Sequence, residues 1–188
     1  KKDIEKLQNY VINPEKQTLN PDVVGQSAMT IAKEAGIKVP EGTKVLLAEI
    51  DGIGPDYPLS REKLSPILAF VKAESTEDGF EKSKQMLELN GKGHSASIHT
   101  FGGNNDLIEK FAEEMEACRI LVNSPSSIGG IGDLYNEMTP SLTLGCGSYG
   151  KNSVSQNVSV RNMFNVKTVA KRRNNMQWLS LIHISEPT

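Results

Sequence analysis

The sequence predicts an α/β protein built on a mostly parallel sheet with helices packed on its faces. Three observations carry that prediction. Short apolar runs alternate with helix-like segments along the chain. The helix-like segments carry capping signals at their ends. The 188 residues, 37% of them hydrophobic and 23% charged, are enough for one sizeable core.

The elements follow in order. KKDIEKLQNY is a charged, helix-prone start rather than a signal peptide. NPDVVGQSAMTIAKEAG, residues 20–36, reads as one helix: Asn20 caps it, Pro21 suits its first turn, and Val24, Ala28, Ile31 and Ala35 form an apolar stripe before Gly36. Residues 44–50, KVLLAEI, are short and almost continuously apolar, as in a buried strand. A turn-rich DGIGPDYP leads to a second strand, ILAFVKA, at 67–73. Ser75 and Asp78 make a capping-box pattern for a helix ending at Asn90-Gly91. SASIHT is a strand, 105–117 a helix whose stripe Leu107, Phe111, Met115 extends to Cys118, and RILVN at 119–123 another strand. Beyond Asn123 the chain turns rich in Gly, Ser, Asn and Pro without a helical period, and a loop of that length inside a compact domain is usually functional. FNVKTVAKRR alternates but is too polar for a core, which suits an edge strand or an arm pairing with another subunit. No internal repeat is present.

A net charge of −2 gives no reason to expect nucleic acid or an acidic membrane as partner. No apolar run approaches the ~20 residues of a membrane span. Two cysteines without CxxC spacing and three scattered histidines argue against a disulfide scaffold and against structural zinc, so a reducing cytoplasm is the expected compartment.

Five stretches, EKLSP (62–66), GHSASIHT (93–100), RILVNSPSSIGGIGDLYN (119–136), PSLTLGCGSYGKNSVSQNV (140–158) and VKTVAKRRNNMQW (166–178), resemble the aldehyde dehydrogenase half of the bifunctional aldehyde–alcohol dehydrogenases. These enzymes interconvert acetyl-CoA, acetaldehyde and ethanol. The resemblance implies an aldehyde dehydrogenase-like catalytic domain incomplete at its N-terminus, with residues 1–148 its C-terminal portion and 149–178 a loop and oligomerisation arm. It implies NAD as cofactor, CoA and an aldehyde as substrates, a homo-oligomer assembled through the arm, and iron only in a separate alcohol dehydrogenase half. The nucleophilic cysteine and the pyrophosphate site are expected upstream of Lys1, which would leave this segment inactive alone. LSLIHISEPT, 179–188, matches nothing in the family and is expected to be a non-native tail from sequencing-adapter read-through, His183 included. Tyr149, Lys151 and Gln156 stand where many members have Trp, Gly and Glu.

Individual residues carry two readings each. Glu62, beside Arg61 and Lys63, reads by itself as a solvated carboxylate entering a strand; the resemblance makes it the acceptor for the nicotinamide ribose hydroxyls, with Leu64 two residues along the same face near the ring. His94 and His99 fall on opposite strand faces, His94 with Ala96 and Ile98. His94 is either a satisfied core residue or, as the resemblance implies, the group near the cleft that deprotonates the CoA thiol. Leu144 is ordinary core or a residue packed against the cofactor. Cys146, framed by glycines with Lys151 its nearest cation in sequence, reads as structural rather than reactive. GGIGDLYN lacks the GxGxxG spacing and context of a dinucleotide fingerprint and reads as a flexible substrate-side loop. Lys167, Lys171, Arg172 and Arg173 read as a solvated basic run. No metal ligands are assigned. The rival functions are a single-activity acylating dehydrogenase or a glutamyl-phosphate reductase of the same fold and, in another class, a non-catalytic assembly module.

Overall fold

The computed structural model describes residues 1–13, 15–16 and 18–172. Two compact units divide at Val158: Lys1–Val158 and Ser159–Thr188. The first holds all the helices and strands described next.

Helix α1, Lys2–Val11, buries Leu7 and Val11 and leads into a small antiparallel ribbon of β1, Ile12–Asn13, and β2, Thr18–Leu19. The single helix expected over 20–36 is two pieces. Asn20 does cap, accepting from the Asp22 N–H, but only a 3₁₀ turn at Pro21–Val23 follows. Gly25 at φ +73 then breaks the path, and Ser27 caps a separate helix α2, Ala28–Glu34, by accepting from the Thr30 N–H at 3.1 Å. A left-handed residue cannot sit inside a right-handed helix, so the stripe is interrupted and Val24 is 44% exposed.

Strand β3, Leu46–Glu49, pairs in parallel with β4, Ile67–Phe70, in the register Leu46↔Ile67 to Glu49↔Phe70. The apolar run around β3 is half-buried, not covered on both faces: Leu46 and Ala48 are in the core while Leu47 is 66% exposed. Helix α3, Thr76–Asn90, starts with Ser75 accepting from the Asp78 N–H. The Asp78 carboxylate returns to the Glu74 N–H at 2.8 Å, one residue earlier than a strict capping box requires. Gly91, at φ +97, ends the helix. Strand β5, Gly93–Ile98, pairs in parallel with β6, Ala117–Val122, with Ser95 opposite Arg119. Between them α4, Asn105–Glu114, is capped by Asn104 and is three residues shorter than its periodicity suggests. Met115 is already extended, which places Cys118 on β6, half-buried, instead of on the helical stripe.

The parallel pairing is as expected, but the four strands make two separate pairs, each with its own apolar cluster. Val11, Ile12, Val23, Ile31, Ala48, Leu59 and Ile67 centre the first. Phe80, Ile98, Phe111 and Met115 centre the second, where the Phe80 and Phe111 rings meet edge to face at 5.2 Å.

The segment after Asn123 is more ordered than its composition suggests. It contains a short helix α5, Ser126–Gly129, and then an antiparallel ribbon bridged at Leu144↔Asn157. In the second unit a 3₁₀ turn covers Val160–Met163, with Ser159 and Asn162 forming a capping box. The expected arm strand is not formed over residues 164–172, where Val166 is 88% and Val169 85% exposed. A strand needs a partner edge to complete its ladder, and a single chain offers none there. Arg173, Trp178, His183 and the tail 179–188 lie outside the described residues.

Candidate functional site

A cleft of about 580 Å³ opens beside the two strand pairs and brings Glu62 and His94 onto one wall system. On one side it is lined by Ser60–Lys63 and the start of β4, on the other by His94–Ser97 of β5, with Met86, Leu87 and Asn90 of α3 between.

Glu62 is exposed and lies in a loop rather than a strand, between a 3₁₀ turn at Pro58–Ser60 and β4. The loop is held by Asn90 at the end of α3: its amide oxygen accepts from the Glu62 N–H at 2.6 Å and its amide nitrogen donates to the Ser60 carbonyl at 3.1 Å. The backbone of Leu64 is left-handed, φ +45, so strand alternation does not relate it to Glu62. A bulky side chain rarely tolerates that conformation, and such strain concentrates at functional loops. Leu64 is 60% exposed and does not line this cleft.

Lys63 goes the other way. It is 8% exposed, and its ammonium donates to the carbonyls of Leu59 at 2.6 Å and Arg61 at 2.7 Å. Burial pushes its pKa down to about 8, with the Glu62 carboxylate opposing the shift.

His94 is exposed at the start of β5, outside the core that its parity with Ile98 suggests. Its Nδ1 lies 3.3 Å from Cys146 Sγ. Cys146 comes from the ribbon whose legs are joined by Gly145 N–H to Gln156 O at 3.0 Å, Gly147 N–H to Val154 O at 2.9 Å and Val158 N–H to Thr143 O at 2.9 Å. Both residues stand out in the sequence, but their contact does not, because 52 positions separate them. The glycines are required for close packing. A Cβ on Gly145 would fall 2.2 Å from the Val154 carbonyl oxygen, and one on Gly93 would fall 2.3 Å from that of Cys146.

Nothing local in the sequence singles out Arg119. It is 4% exposed, sits opposite Ser95, and spreads its guanidinium over three acceptors: Ser95 Oγ at 3.2 Å, Ser155 O at 3.3 Å and Gly145 O at 2.6 Å. The planar fork therefore ties β5 to both legs of the ribbon. Asn157, also buried, donates to Gly130 O at 3.0 Å and Thr139 O at 2.8 Å, fastening the ribbon to the end of α5. Leu144 lies on that ribbon, half-buried and near Gly130, away from the cleft lined by Glu62 and His94. His99 is exposed and does not line the cleft. GGIGDLYN forms the end of α5 and a 3₁₀ turn at Asp133–Tyr135. Lys167, Lys171 and Arg172 are exposed. Among the described residues no group of three or more His, Cys, Asp or Glu side chains is placed to hold a metal, and no helix is long and apolar enough to cross a membrane.

No family model matches the chain. It is 56% identical over 163 residues to the aldehyde-alcohol dehydrogenase of Streptococcus pneumoniae, an alignment covering 87% of this chain and 18% of that protein. The bifunctional aldehyde-alcohol dehydrogenase of Escherichia coli is 43% identical over 96% of this chain and 20% of its own length. The chain thus spans about a fifth of these relatives. Among solved structures, an acetylating aldehyde dehydrogenase from Geobacillus thermoglucosidasius superposes with a TM-score of 0.86 at 39% identity, covering 94% of this chain and 38% of that one. A propionaldehyde dehydrogenase from Rhodopseudomonas palustris, solved with bound CoA and an acylated cysteine, matches at TM-score 0.64 and 25% identity over 81% of this chain and 32% of that one.

Proposed function

We propose a function from the premise that the chain is homologous to a segment of the bifunctional aldehyde–alcohol dehydrogenases and has the fold of the acetylating aldehyde dehydrogenases. The protein containing it is a cytoplasmic, NAD-dependent, CoA-acylating aldehyde dehydrogenase that interconverts an acyl-CoA and its aldehyde, and this segment supplies one side of the active cleft. The observation that carries the reading is the cleft itself, where a solvent-facing carboxylate and an exposed imidazole line the same space.

The residues suit these roles. Glu62 is anchored through its backbone by Asn90, which leaves the carboxylate free to accept hydrogen bonds from a vicinal diol such as the nicotinamide ribose. When bound, the nicotinamide supplies the hydride acceptor. His94 would take the proton of the CoA thiol, so that the CoA thiolate attacks the acyl carbon of the enzyme thioester and the nucleophilic cysteine, expected upstream of Lys1, leaves as its thiolate. The relative solved with CoA supports CoA as the acyl acceptor. Leu64 and Leu144, which lie outside the cleft that Glu62 and His94 line, are proposed as apolar contacts only to parts of the cofactor that extend beyond it.

The test is His94→Ala in the full-length protein, followed by pre-steady-state NADH formation with and without CoA. Loss of a general base typically costs about 10²–10⁴-fold. The expected result is a retained burst and a slowed CoA-dependent steady state. A burst that falls as far as the steady state would refute the base assignment.

A further inference from the structure

We propose that Cys146 is a positioning residue that sets which ring nitrogen of His94 carries the proton. A neutral imidazole holds one proton, and its location is decided by what faces the other nitrogen. Among the described residues Cys146 Sγ has two hydrogen-bonding neighbours, His94 Nδ1 at 3.3 Å and the Leu144 carbonyl oxygen at 3.8 Å. The carbonyl can only accept, whereas Nδ1 can accept or donate, so the one arrangement that engages all three groups turns the thiol proton to the carbonyl. In that arrangement sulfur meets Nδ1 with a lone pair, and the proposed tautomer has Nδ1 protonated and donating to it. Nε2 is left unprotonated, which is the form in which His94 can accept a proton from a substrate.

The contact holds only if the ribbon carrying the thiol is fixed, and it is fixed from three directions. The Asn152 side chain accepts from the Cys146 N–H at 3.1 Å. The Arg119 fork holds Gly145 O on one leg and Ser155 O on the other. Gly93, the residue before His94, comes so near the Cys146 carbonyl that no side chain fits between them. Cys146 is 7% exposed as a result, which suits a spacer and not a nucleophile. The glycines flanking it therefore serve the placement of one sulfur atom against one imidazole.

This inference rests on the proposed role of His94 for its catalytic consequence, but not for its first readout. Nitrogen-15 shifts of the histidine imidazoles in the full-length protein, with the His94 signals assigned by their loss in His94→Ala, distinguish the two tautomers directly. The expected spectrum has the Nδ1–H form for His94, turning to a mixture or to the Nε2–H form in Cys146→Ala. A wild-type His94 in the Nε2–H form would overturn the proposal. The second readout is a double-mutant cycle in the full-length protein. Cys146→Ala should slow CoA-dependent turnover about ten- to a hundredfold, as loss of an orienting partner does, and the NADH burst should fall less. Cys146→Ser should recover part of the loss. In a His94→Ala background the same change should have no further effect, and an equal effect there would mean that Cys146 acts on stability alone. If the tautomer responds to Cys146 while CoA transfer ignores His94, the functional reading fails and the positioning role stands.

Discussion

Glu62 and Lys63 are neighbours with opposite fates, and both fates are testable. Beside Arg61 and Lys63, Glu62 reads in sequence as a solvated carboxylate, and in the structure it faces solvent. Lys63 does not, because the carbonyls ending the Pro58–Ser60 turn point inward and take its ammonium. Nothing local in the sequence reveals the direction of those carbonyls. The folded pKa of Lys63, about 8, lies below its ordinary 10.5, so between these values the unfolded chain binds more protons. The charged form costs on the order of 3 kcal/mol below pH ~8, and that cost disappears as the pH rises through 10.5. Urea unfolding of wild type and Lys63→Met at about pH 7 and about pH 10 should show wild type gaining on the variant at the higher pH. A pH-independent difference would mean that the amine is not buried in its charged form. Glu62→Gln should instead leave folding intact and weaken NAD binding by roughly 1–2 kcal/mol, since a neutral acceptor replaces a charged one. Isothermal titration of the full-length protein reads this; unchanged affinity would remove Glu62 from the cofactor site.

At the scale of elements, the signals that worked were those contained in a few adjacent residues. Ser75 and Asn20 cap where they were expected to, and Gly36 and Gly91 end helices with φ of +68 and +97. The failures have a common cause. Gly25 breaks a helix whose apolar spacing is sound, and Met115 leaves α4 because β6 needs its chain extended alongside β5. Both decisions are made by tertiary packing, which outweighs helix propensity of a few tenths of a kcal/mol per residue. The ribbon shows the same limit more strongly, since its organiser, Arg119, lies 26 residues before its closest acceptor. Replacing Arg119 with Met keeps bulk but deprives Gly145 O, Ser155 O and Ser95 Oγ of a shared donor. The cost of about 1–3 kcal/mol should fall on ribbon opening and leave the cores folded. Cys146, located by peptide mass after labelling with iodoacetamide, should then react about tenfold faster or more, while circular dichroism stays unchanged. Labelling at the wild-type rate would show that the fork does not hold the ribbon.

For the whole molecule, the fold class and the order of its main elements were legible because alternating strands and helices admit few arrangements. That the strands form two separate pairs was not legible, since each pair satisfies the same local pattern as a continuous sheet. Exposed apolar faces accompany this arrangement: Leu47, Leu68 and Phe70 on the first pair, Val166 and Val169 near the end of the described chain. Residues 166–171 alternate Val166, Thr168 and Ala170 against Lys167, Val169 and Lys171, so neither side is apolar enough to bury against a domain. The backbone of such a segment keeps its donors and acceptors unpaired until another edge accepts them. The proposed edge belongs to a second subunit, with the segment serving as the assembly arm. Val169→Pro deletes one ladder donor and should cost ~3 kcal/mol or more at each paired edge. In the full-length protein the expected outcome is dissociation with the catalytic domain still folded, seen as a lower mass by light scattering and an unchanged circular dichroism spectrum. An oligomer of undiminished mass that carries this proline would show that assembly runs through another surface.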